Sequence, residues 1–147
     1  MPGQKEQAEV LRHGLLTGTR TVSDVIAWAD SVIEADPQPD IAVIEVATSG
    51  RRHAANMTLL LRNVAGECDP VIVLRRSMSD LRRALATDPS RGPQIARWLA
   101  LLATTGELSE TEFGVDAYML QDSFAPWGTY ESAVKELDAY LAQHARP

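Results

Sequence analysis

The side chains best suited to chemistry are scattered along the chain. Histidines stand at positions 13, 53 and 144, and none has a second histidine three to five residues away. The single cysteine, Cys68, allows neither a thiolate zinc set nor an internal disulfide. It lies in Gly66-Glu67-Cys68-Asp69-Pro70, where two flanking carboxylates should raise the thiol pKa and keep the sulfur protonated. Asp36 and Asp40 frame a segment with two prolines that lacks the alternating oxygen ligands of a calcium loop. No glycine-rich phosphate loop, G-x-G-x-x-G fingerprint or G-x-S-x-G elbow occurs. The chain has only two lysines, Lys5 and Lys135, which weakens a phosphoryl-transfer reading. The sequence therefore nominates no catalytic residue, no metal ligands and no cofactor.

What it offers instead are charged constellations. Arg75, Arg76, Arg82 and Arg83 form pairs seven residues apart, so on a helix 75 and 82 share one side and 76 and 83 another. Such a face serves as a solvated surface paired with neighbouring acids, or as a site for an acidic partner held by bidentate guanidinium contacts. Glu107, Glu110, Glu112 and Asp116 crowd one helix start. They compensate the helix dipole there, or form an acidic docking surface. Trp127 sits in a Pro-Trp-Gly loop, where it either closes over the core or anchors a partner.

The charge is uneven along the sequence. Residues 51–97 carry nine arginines against four acids, a balance of +5, while the remainder carries five basic residues against sixteen acids, −11, within a net charge of −6. This disfavours non-specific nucleic-acid binding and suits a basic protein partner. The composition, 45% hydrophobic and 23% charged, is that of a globular chain. The N-terminal Met1–Gln7 is polar, without the apolar stretch of a signal peptide. The longest purely apolar run, 98–103, is far short of the ~20 residues a membrane span needs. Together with the lone cysteine, these features place the chain in the cytoplasm, with no membrane association.

The elements that must carry these residues are helices. Ala8, Leu11, Leu15 and Leu16 recur at helical spacing over 4–16, and Val22, Val25, Ile26, Ala29 and Ile33 do so behind a capping Thr21. Pro37 and Pro39 end that second helix. The runs 41–46 and 71–74 are β-branched enough to be strands, which would make a small two-stranded element in an α+β domain. Pro39 at the first helical turn with Asp40 after it, and an apolar stripe continuing to Leu85 after the second run, favour helix. Further helices are expected over 51–64, from 69–70 to 85, up to Thr105, from a Ser109–Glu112 capping box through Leu120, and from Thr129 through Leu141. The expectation is an all-α bundle of about seven helices, mostly antiparallel neighbours, in one domain over 1–147.

An acidic helical chain of this style is common among bacterial accessory and partner-binding proteins. The leading functional expectation is a non-enzymatic protein-interaction module, for instance a small neutralising or immunity-type protein that covers a basic partner. The alternatives are a homo-oligomeric scaffold, with basic middle meeting acidic remainder, and a small-molecule or anion binder with an inter-helix pocket.

Overall fold

The computed structural model of the chain describes residues 3–50, 53–114, 117–125 and 128–145, and leaves out the side chain of Glu110. Asp116 and Trp127 thus lie outside the described residues. The chain divides into two compact units, Met1–Asp69 and Pro70–Pro147.

In the first unit, helix α1 spans Gln4–Thr17 and α2 spans Val22–Ala35. Helix α2 starts on a closed capping box: the Asp24 N–H donates to Thr21 Oγ1 at 3.1 Å, and the Thr21 N–H donates to Asp24 Oδ2 at 2.8 Å. The β-branched run after the prolines is helical, α3 (Ile41–Thr48), and α4 covers Ala54–Arg62. Asp40 decides the matter for α3. One of its oxygens accepts from the Ala42 N–H at 2.9 Å and the other from the Ala65 N–H at 2.6 Å, so it starts α3 and ties it to the chain leaving α4. Helix α4 is shorter than the stripe over 51–64 predicts, closing at Asn63. Helix α1 packs on α4, and α3 packs on both α2 and α4. Val25, Val43, Met57 and Leu61 are wholly buried among these helices.

The second unit begins with α5 (Pro70–Thr87), turns through a short 3-10 segment at Pro89–Arg91, and continues as α6 (Gly92–Thr105), α7 (Glu110–Phe113), α8 (Ala117–Asp122) and α9 (Tyr130–His144). The run at 71–74 lies inside α5. Both strand-like runs are therefore helical, and among the described residues there is no strand, so the chain is all-α. The uninterrupted helix expected from Ser109 through Leu120 is broken in two. Gly114 adopts φ +75°, a left-handed conformation that ends α7 after a single turn. The capping signal was local and correct about where a helix starts, but it says nothing about where one stops.

Helix α5 packs along α9, α6 along α8, and α8 along α9. The core of this unit is Met78, Leu81 and Leu85 from α5, Ile95 and Leu99 from α6, with Phe113, Leu137 and Leu141. Each such aliphatic side chain stabilises the fold by roughly 1.5–3 kcal/mol relative to exposure. The turn into α9 is anchored on α6. Phe124 and Tyr130 meet edge to face at 5.4 Å, and the Tyr130 hydroxyl donates to the Pro89 carbonyl at 2.5 Å. Gly92 makes this possible, because a Cβ there would stand 2.7 Å from the Phe124 ring. Among the described residues, no helix is long and apolar enough to cross a membrane.

Candidate functional site

The four arginines of α5 do not share one environment. Arg75 is largely buried, with a side chain 13% exposed. It donates to the His144 carbonyl at 3.0 Å and to Glu112 Oε2 at 3.2 Å, and its guanidinium lies 5.0 Å above the centre of the Phe113 ring. The His144 carbonyl belongs to the last turn of α9, where helical oxygens lack partners and a cation is favourable. Arg75 therefore closes α9 and holds α7 beside it. Arg76 is half-buried. Arg82 and Arg83 are exposed: Arg82 reaches Asp138 of α9 at 3.1 Å, and Arg83 pairs with Asp80 on its own helix.

The acidic group is likewise divided. Glu107 is exposed in the loop before α7, and Glu112 is held by Arg75. The side chain of Glu110, and Asp116 as a whole, lie outside the described residues, as does Trp127. The basic and acidic constellations thus meet at Arg75–Glu112. Counted by unit, both units are acidic: six basic residues against ten acids in 1–69, and eight against ten in 70–147.

In the first unit the ionisable cluster is structural. Glu9 accepts from Arg12 at 2.7 Å and lies 3.0 Å from Lys5, whose ammonium also donates to the Arg62 carbonyl at 2.7 Å and so caps the end of α4. Burial pushes the Glu9 carboxyl up, but the bonds and charges of Arg12 and Lys5 outweigh it, and the pKa falls below the ordinary value. His13 is buried, and desolvation, with the Arg12 charge, lowers its pKa to about 4. Cys68 is half-buried and unbridged. Burial raises its thiol pKa, followed by the charge of Glu9, in the direction its acidic surroundings imply. Among the described residues, no three histidine, cysteine or carboxylate side chains gather as a metal site would require.

Among the described residues, one arrangement able to bind lies between α8 and α9. An open groove of about 600 Å³ runs there, walled on the α8 side by Met119, Leu120, Asp122 and Ser123. The α9 wall is Glu136, Ala139, Tyr140 and Gln143, whose spacing of three, four and seven places them on one helical face. A second hollow of about 160 Å³ continues it past Ser132 toward Thr129, sharing Asp122, Ser123 and Glu136. The Ser123 hydroxyl donates to Glu136 Oε2 at 2.5 Å and pins the waist between the two hollows. Tyr140 is fixed by its hydroxyl donating to the Phe113 carbonyl at 3.0 Å. Met119 is 66% exposed at the rim. Among the described residues the lining carries two carboxylates and no lysine or arginine.

Sequence reasoning placed Leu120, Ala133 and Tyr140 on helices and Thr129 at a cap, and did not single out Met119, Asp122, Ser123, Gly128, Ser132, Glu136, Ala139 or Gln143. The 136/139/140/143 spacing was readable, but it marks a site only once α8 lies alongside. Compared with known proteins, the chain matches no family model, no curated protein and no solved structure, so the groove is read from its own side chains.

Proposed function

We propose that the chain is a non-enzymatic protein-interaction module whose partner docks on the α8–α9 face of the second unit. The observation that carries this reading is the open groove itself, apolar along Met119, Leu120, Ala139 and Tyr140 and bearing only negative charge at Asp122 and Glu136. An exposed methionine over an aromatic floor is adaptable contact surface, and carboxylates beside it select the sign of the partner. The net charge of −6 adds long-range attraction for a basic surface, which suits a neutralising protein that covers a nucleic-acid-cleaving partner. The unbridged Cys68 fits residence in a reducing cytoplasm.

The test is affinity capture from cell lysate at low and high salt, followed by reconstitution with the purified partner. A one-to-one complex weakened by salt is the expected result. A chain that captures no stoichiometric protein overturns the reading. The groove volume also lies within the roughly 300–1,000 Å³ of small-ligand sites, which favours a small cationic ligand as the second reading. That reading predicts a ligand-dependent rise in melting temperature across a panel of organic amines.

A further inference from the structure

The groove has a direction, and its chemistry changes along that direction. From Ser132 to Gln143 the α9 wall runs eleven helical steps, about 16 Å at the helical rise of 1.5 Å per residue. This is the length of three turns of a helix laid alongside, rather than of a single small group. One half is apolar, with Leu120, Ala139 and Tyr140 beneath the Met119 rim. The waist carries Asp122 and Glu136, the two carboxylates common to both hollows. Beyond the waist the lining consists of small residues, Gly128, Thr129, Ser132 and Ala133, two of them bearing hydroxyls. Asp122 is exposed and makes no side-chain hydrogen bond or ion pair among the described residues, and Glu136 is met only by the Ser123 hydroxyl. Among the described residues neither carboxylate has a cation of its own, in contrast to Glu112 and Asp138 on neighbouring surface, which are held by Arg75 and Arg82.

We propose that this groove takes a basic amphipathic helical segment of a partner protein. The segment inserts an apolar side chain between Met119 and Tyr140 and, three or four residues along, sets a lysine or arginine on Asp122 and Glu136. That register follows from helical geometry, because residues three and four apart share a face and stand about one turn from each other. The proposal rests on the reading of the chain as an interaction module and names the partner chemistry of the same site.

The experiment titrates the full chain with three labelled synthetic peptides. The first places leucine and lysine at helical spacing, the second has the same composition scrambled, and the third replaces lysine by glutamate. Affinity is read by fluorescence anisotropy and location by backbone amide shifts. The leucine–lysine helix is expected to bind at least tenfold more tightly than either control, shifting amides in 117–123 and 132–143. D122N/E136Q, which keeps an acceptor for Ser123, is expected to lose tenfold or more in affinity. A139W fills the apolar half at an exposed position and is expected to do the same with unchanged circular dichroism. E131Q, on α9 away from the groove lining, is expected to bind as the parent does. Equal binding of the scrambled or glutamate peptide, insensitivity to D122N/E136Q, or shifts confined elsewhere overturns the proposal. So does concentration-dependent self-association that shifts the same amides without peptide, which would assign the groove to a second copy. A captured protein whose contact maps outside the groove defeats this proposal and the assignment of the docking face, and leaves an interaction module that uses another surface. Absence of any captured protein defeats the module.

Discussion

Arg75 and Arg82 carry the same charge two turns apart on α5, yet they meet different surroundings. Arg75 closes the last turn of α9, holds Glu112 and lies over Phe113. Arg82 meets Asp138 with its side chain half exposed to water. Hydrogen bonds to charged groups are worth about 1.5–3 kcal/mol, whereas exposed ion pairs contribute under about 1 kcal/mol. R75A should therefore cost about 2–3 kcal/mol in urea unfolding and R82A under about 1 kcal/mol. R75K should recover only part of the loss, because an ammonium cannot span two acceptors as the guanidinium fork does. Equal losses in R75A and R82A would refute this assignment. His13 supplies a pH dependence. Its folded pKa of about 4 lies below the ordinary imidazole value of 6.5, so the unfolded chain binds the extra proton between those values. Stability from this residue is complete above pH 6.5 and lost as the pH falls toward 4, by about 3 kcal/mol in all. Glu9, whose pKa is also lowered, loses its contribution as the pH falls below the ordinary carboxylate range. H13Q should flatten the stability profile between pH 6.5 and 4 and leave the Glu9 contribution below it. An unchanged slope in H13Q would place the titration elsewhere.

Helix α3 shows how a single cap decides an element. Its residues, Ile41-Ala42-Val43-Ile44-Glu45-Val46, have the composition of a strand. The Asp40 carboxylate satisfies Ala42 at the helix start and reaches Ala65 with its other oxygen. Val43 and Val46 then point into the first core, while Ile41 and Ile44 remain exposed. Loss of an N-cap costs about 0.5–2 kcal/mol. D40A is expected to cost about 1–2 kcal/mol and to speed amide exchange at Ala42 and Ala65 together, whereas D40N should cost less. Faster exchange at Ala42 alone would show that the link to Ala65 contributes nothing. In the second unit the corresponding decision is made by Gly114, which cuts the helix opened at Ser109 and frees α8 to lie against both α6 and α9. Without that break the groove would have no second wall.

For the whole molecule, the charge pattern changes meaning on folding. The +5 segment over 51–97 is split between the two units, each of which is net acidic. Within the second unit, arginines of α5 meet carboxylates of α7 and α9, so much of the sequence asymmetry is neutralised internally. What is left over is a net negative charge and, among the described residues, two groove carboxylates without a cation, Asp122 and Glu136. The field of such charge acts mainly on encounter rates and is screened beyond about 10 Å at 0.1 M salt. For a basic protein partner, the association rate constant is expected to fall several-fold between low and high salt, with the dissociation rate little changed, as measured by stopped flow. A salt-independent association rate would remove electrostatic steering from the account.

The helices, most of their caps and the single free thiol were legible in the sequence because each depends on residues within about four positions of one another. Thr21 with Asp24 and Thr129 before Ser132 are of this kind, whereas Asp40, read as part of the first turn after Pro39, is the cap itself. The break at Gly114 was missed because a glycine stops a helix only when its backbone takes the left-handed conformation, which composition does not announce. Tertiary structure alone decided which charges were spent internally and which were left over. Arg75 finds its acceptor 69 residues away at His144, and Arg82 finds Asp138 56 residues away. The groove, too, exists only where α8 and α9 lie side by side. Local spacing sets the faces of a helix, but the partner of each face is a long-range contact, and no short-range pattern encodes it.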